Sequence, residues 1–202
     1  MKKITLRFPD LDEQQIIQQC IDLADHYIVE EPWVSPQVVF KAVLETLKVP
    51  YASETLRVFC GFSAGGGFAG RLCGGLSGSL AALSFIYGSE KPMDKVTHQR
   101  FVGAVQSKDL SPAAKAQELL DAFPELAIYN KMVEDFKEKF GYTDCQDLIA
   151  PFSTDPVSRR RFGTCRRIVR EAAGLVMQLI LDLEIKKIQP PMGENIYSHL
   201  FK

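Results

Sequence analysis

Apolar positions recur at helical spacing through most of this chain, and no stretch alternates with a period of two. The pattern therefore predicts an all-α protein. Ile16, Ile17, Cys20, Leu23, Ala24, Tyr27 and Ile28 define an amphipathic first helix over Leu11 to Glu30, capped by Asp10 or Asp12 and ended by Pro32. Ser35-Pro36 reads as the N-cap and first-turn proline of a second helix reaching Lys48, with Val39, Val43, Leu44 and Leu47 inward. A short helix over Glu54 to Phe62 and a moderately helical segment over Pro92 to Asp109 follow the same logic, and Ser111-Pro112 opens a helix ending near Phe123-Pro124. Glu125 to Phe140 carries Leu126, Tyr129, Met132, Val133, Phe136 and Phe140 on one face, with Gly141 as its C-terminal cap. Asp144 is expected to cap a short helix with Cys145 in first position. The last long helix is expected from about Thr164 to Ile188, with Cys165 at its start.

Between these segments lies an uncharged run, LCGGLSGSLAALSFIYGS (Leu72 to Ser89), preceded by the glycine-dense loop GFSAGGGFAG and Arg71. Gly74, Gly78 and Ala82 recur every fourth residue, so a helix here has one face with almost no side chain. A glycine inside a helix costs about 1 kcal/mol relative to alanine, so the pair implies that another element packs where a side chain would be. The run is barely long enough to span a membrane, and its glycines and serines favour a buried central helix instead. The expectation is one helical domain over residues 1–202, a bundle around this glycine-rich helix, with no membrane association.

Composition removes several function classes. The 202 residues carry a formal net charge of -1, which gives no footprint for nucleic acid, and the basic cluster Arg159 to Arg161 with Arg166, Arg167 and Arg170 reads as a solvated helix face. The N-terminus has two lysines but no apolar stretch behind them, so a cytoplasmic location is expected. Five scattered cysteines without a CxxC pair do not make a secreted disulfide framework. The apolar last helix and the small-residue face of the central helix together suggest a homodimer.

The candidate chemistry lies in the thiols. Cys73, Cys145 and Cys165 each fall in the first turn of an expected helix, where free amides and partial positive charge favour a thiolate, the form that acts as nucleophile or metal ligand. If those helix starts converge, they form a thiol cluster beside a loop in which the amides of Gly65, Gly66 and Gly67 can approach sulfur or an anion, with Arg71 to neutralise it. The competing reading makes each cysteine a small buried hydrophobe. GGGFAG fits G-x-G-x-x-G, but a helix rather than a strand precedes it, so dinucleotide binding is not expected. His26, His98 and His199 form no ligand pair, and Ser35, Ser77 and Ser79 lack a nucleophile context.

At these residues the chain resembles the redox-active protein group named for its C-GCAxxG-C-C pattern. The matching stretches are GFSAGGGFAGRLCGGLSGSLAALSFIYG, FKEKFGYTDCQDLI and CRRIVREAAGLV, with a weaker match in SPQVVFKAVLETL, so the resemblance spans about residues 35–176. It implies an all-helical protein that binds a metal cluster or cycles thiols, with Cys73, Cys145 and Cys165 as the functional cysteines. The implied cofactor is an iron-sulfur cluster or another thiolate-bound metal, or none, and the redox partner is unidentified. Ser35 stands where the family has its first cysteine, which leaves Cys60 as the substitute fourth ligand, while Cys20 belongs to the core. The alternative is a non-catalytic helical binding or scaffold protein that kept the fold after losing that cysteine.

Overall fold

Asp12 starts the first helix with a reciprocal cap: its carboxylate accepts from the Gln15 amide at 2.8 Å, and the Gln15 side chain accepts from the Asp12 amide at 3.0 Å. The computed structural model describes residues 12–152 and 159–188; Asp10, His199, residues 153–158 of the FSTDPVSRRRFG stretch and the side chains of Arg159 and Arg160 lie outside the described residues. Eight α-helices are described: α1 (Glu13–Val29), α2 (Ser35–Thr46), α3 (Gly74–Tyr87), α4 (Lys95–Gln106), α5 (Pro112–Ala122), α6 (Glu125–Phe140), α7 (Cys145–Leu148) and α8 (Arg159–Glu184). The expected helix over Glu54 to Phe62 is a 3-10 helix, Ser53–Phe62. The fold is all-α, and among the described residues the one β-type pairing is an isolated antiparallel bridge between Leu72 and Asp144.

The core is built where α1, α2, α3 and α8 pack together, with α6 closing against α3 and α8. Phe40, Phe136, Leu76, Leu83, Met132 and Met177 are among its fully buried side chains. The α4–α5 pair sits at the periphery and buries only Ala104 and Ala116.

The small-residue face of α3 has its partner in the N-terminal turn of α2. A methyl group at Gly78 would stand 2.6 Å from the Pro36 carbonyl oxygen, and one at Gly74 would stand 2.9 Å from Ser35 Cβ. Gly75 takes Ala172 of α8 on another side, at 3.4 Å. The glycines thus let two helices close on α3, and the wedge sets Ser35 against the residue that follows Cys73. Both surfaces behind the homodimer expectation, this face and the apolar side of α8, are consequently covered within the chain.

Two helix starts differ from the sequence reading. Ser35 is the first residue of α2 rather than its cap; Val34 holds the cap position, and its amide donates to the Gln37 side chain. α8 begins at Arg159, so Cys165 lies nearly two turns inside it. Gly163-Thr164 reads locally as a boundary, yet Gly163 is exposed with no atom close to its missing Cβ, and the helix runs through it. No helix among the described residues is long and apolar enough to cross a membrane.

A candidate thiol site at the start of the central helix

The glycine loop coils back on itself. Gly66 donates to the Phe62 carbonyl, Gly67 to Gly61 at 2.8 Å, Gly70 to Ala64 at 3.2 Å and Arg71 to Gly65 at 3.0 Å. Gly65 sits at φ +78, where a methyl group would fall 2.4 Å from the Arg71 amide nitrogen, so only glycine fits. The amides of Gly66 and Gly67 are consequently engaged inside the loop. The expected anion nest over Gly65, Gly66 and Gly67 is not what these two residues build: their positive φ angles serve the turn.

The loop ends in the Leu72–Asp144 bridge, which ties it to the start of α7. Cys73 N donates to Thr143 O at 2.8 Å, Cys145 N to Arg71 O at 2.7 Å and Gln146 N to Gly70 O at 2.9 Å. The first amides of α7 are thus capped by loop carbonyls, and the Asp144 side chain makes no cap hydrogen bond. Cys73 and Cys145 each follow a bridge residue, so both side chains leave the paired segments on one side.

That side is a cavity of about 100 Å³. Its wall takes Ser35 from α2, Ser63 and Ala64 from the loop, Cys73 and Gly74 at the start of α3, Cys145, Leu148 and Ile149 at α7, and Arg161, Cys165, Ile168 and Val169 from α8. Cys73, Cys145 and Cys165 therefore converge, although only the first two stand at helix starts. Ser35, at the family's first cysteine position, meets them there. All are free thiols; Cys73 and Cys145 are each 8% exposed, and Cys165 is half-buried.

Burial decides the charge state of these thiols. It pushes Cys73 up to about 11, against opposing hydrogen bonds from the Gly75 and Leu76 amides and with a further upward push from Cys145 and Cys165. Cys145 is raised by burial, with Arg161 opposing and Asp144 adding to the rise. Cys165 is raised by burial and by Cys145, again with Arg161 opposing. The helix-start effect is present at Cys73, but desolvation outweighs it, and the resting thiols are protonated at neutral pH.

Among the described residues, Arg161 is the cation on the cavity wall. Arg71 is exposed and absent from the cavity wall, so the role expected of it passes to a residue the sequence reading left in a solvated basic run. The available signal was spacing: Arg161 and Cys165 are four residues apart and share a helix face once α8 starts at Arg159. Cys60 lies on the 3-10 helix, exposed and outside the cavity wall, its Sγ accepting from Gln37 Nε2 at 3.0 Å. Cys20 is core, fully buried between α1 and α8, and burial pushes it up to about 12. His26 and His98 are exposed, His26 beside Glu31 at 3.5 Å.

The donor set tests the metal expectation. Among the described residues, which include Cys60, Cys73, Cys145 and Cys165, no group of three or more His, Cys, Asp or Glu side chains is arranged to hold a metal ion. With Cys60 outside the wall and a serine at the fourth position, the residues as placed do not supply the four sulfurs of an iron-sulfur cluster.

An all-helical protein with three free thiols around one small cavity is the class that fold and site define. The family model described as "Putative redox-active protein (C_GCAxxG_C_C)" matches residues 35–179, and the chain belongs to that family. No curated protein and no solved structure matches the chain significantly.

Proposed function

We propose that the protein is a dithiol–disulfide redox protein of the cytoplasm, serving a separate redox partner. Cys165 is its outer thiol, Cys145 the thiol that resolves the mixed disulfide, and Cys73 a third sulfur behind them. One observation carries this reading: the three cysteines wall a single cavity, and of the three only Cys165 also faces the wider cavity next to it. In the forward step the Cys165 thiolate attacks one sulfur of an incoming disulfide, whose S–S bond breaks and releases one thiolate. Cys145 then attacks the Cys165 sulfur and releases the second. Two thiol protons and two electrons leave the protein, and one disulfide forms in it. Arg161, four residues before Cys165, favours the attacking thiolate against the burial that opposes it. The Ser35 hydroxyl cannot enter a disulfide, so the cycle runs on the Cys165–Cys145 pair, with Cys73 as a third sulfur that has no partner at position 35.

Redox titration in dithiothreitol buffers, read by alkylation and intact mass, tests the proposal. Wild type and Cys60→Ser should show one two-electron transition, and Cys145→Ser and Cys165→Ser should not. A wild-type protein whose thiol count stays constant across the titration would favour the non-catalytic scaffold instead, as loss of the first cysteine would suggest.

A further inference from the structure

The wider cavity outside Cys165 measures about 520 Å³, within the range of small-molecule sites, and shares Ser35, Ser63, Arg161, Cys165 and Val169 with the thiol cavity. Trp33, Phe68 and Phe162 stand on its wall and remain substantially exposed, Phe68 at 80%. Phe68 also has φ +69, a left-handed conformation that a bulky side chain rarely adopts, so the loop holds this ring outward in a strained conformation. Among the described residues, the charged side chains on the wall are Arg161 and Arg166. Arg166 is held by Asp25 through two bonds of 2.7 Å, and Arg170 shares the same carboxylate at 3.3 Å, so two guanidiniums face one acid beside Arg161.

Building on the dithiol reading, we propose that this cavity binds a small organic disulfide carrying an aromatic ring and a carboxylate, and presents its S–S bond to Cys165. The ring packs among Trp33, Phe68 and Phe162, and the carboxylate lies on the arginine side. In the exchange R–S–S–R breaks and Cys165–S–S–R forms, with one RS⁻ leaving and taking up a proton. Attack by Cys145 then releases the second RS⁻, so two RSH and one protein disulfide result. Substrate and protein supply every atom and electron.

The test uses a full-length Cys60→Ser, Cys73→Ser, Cys145→Ser protein, in which Cys165 is the one thiol left on the thiol-cavity wall and the resolving step plays no part. Its rates with 5,5′-dithiobis(2-nitrobenzoate), 3,3′-dithiodipropionate and cystamine are each divided by the rate of the same reagent with N-acetylcysteine. The aromatic dianion should lead the cationic cystamine by about tenfold or more, with the aliphatic dianion between them. Phe68→Ala and Phe162→Ala, both at exposed positions, should lower the normalised aromatic rate several-fold and leave the aliphatic dianion unchanged. Arg161→Gln should narrow the gap between dianion and cation, a ratio that cancels its effect on thiolate content. Equal normalised rates for the three reagents, or no effect of either aromatic substitution, would overturn the ligand assignment. The dithiol reading is scored separately, by whether the otherwise unmodified Cys60→Ser protein forms a Cys145–Cys165 disulfide.

Discussion

Gly78→Ala should destabilise the protein, although alanine is the better helix former. The new methyl would stand 2.6 Å from the Pro36 oxygen, 2.9 Å from Pro36 Cα and 3.0 Å from Val39 Cβ, two of these being backbone atoms that no rotamer change can move. Restoring a separation of about 3.5 Å means pushing the start of α2 outward by roughly 0.9 Å. Overpacking of this kind costs about 1–3 kcal/mol and sometimes more. The backbone contacts place it at the upper end, and the helix-propensity gain of about 1 kcal/mol leaves a net loss of about 2 kcal/mol. For a chain of this size that lowers Tm by roughly 4–8 °C. Gly103→Ala on α4 is the control, because nothing lies within 4 Å of its missing Cβ. It should stabilise by about 0.5–1 kcal/mol through propensity alone. Urea unfolding followed by far-ultraviolet circular dichroism measures both. A Gly78→Ala protein as stable as wild type would refute the claim that α2 and α3 meet through their backbones.

Three further predictions concern the thiols. Burial raises Cys73 to about 11 and Cys20 to about 12 from a usual value of 9.0, so the folded state favours their neutral forms. The stability this provides is complete below about pH 9 and declines as pH rises toward 11–12. Urea midpoints should therefore fall over that window, with a shallower fall in Cys20→Ala. Arg161→Gln removes the cation that opposes burial at Cys145 and Cys165. Their iodoacetamide alkylation at pH 8 should slow several-fold, as read by peptide mass spectrometry. Ser35→Cys places a fourth sulfur against the start of α3. It should raise the electrons exchanged per chain from two to four in a redox titration, and a count fixed at two would show that Ser35 is not positioned to restore the motif.

Elements with local causes were the legible ones. α6 is found from Glu125 to Phe140 with Gly141 at φ 83 as its cap, as periodicity and glycine predict; Asp12, one of the two candidates, caps α1, and Ser111 caps the helix that Ser111-Pro112 was expected to open. The bare face of α3 announced a close neighbour but not its identity, because the wedge of Ser35 and Pro36 comes from distant sequence. Gly163 misplaced the start of α8 and so hid Arg161, whose value depends on sharing a turn-by-turn register with Cys165. The thiolate expectation failed for a related reason. A helix N-terminus can be read locally, but the burial that outweighs it at Cys73 is contributed by α2, α7 and α8 together. Likewise, glycine density marks a loop that turns sharply without showing that its amides are spent on its own carbonyls.

The central claim is that Cys165 and Cys145 act as one redox pair, and peptide mapping of the oxidised protein tests it most directly. Reduced protein is treated with one equivalent of diamide, the remaining thiols are blocked with N-ethylmaleimide, and the digest is analysed without reduction. The expected product is a Cys145–Cys165 disulfide, with Cys20, Cys60 and Cys73 recovered as blocked thiols. A disulfide that instead involves Cys60, or recovery of both Cys145 and Cys165 as blocked thiols, would contradict the account.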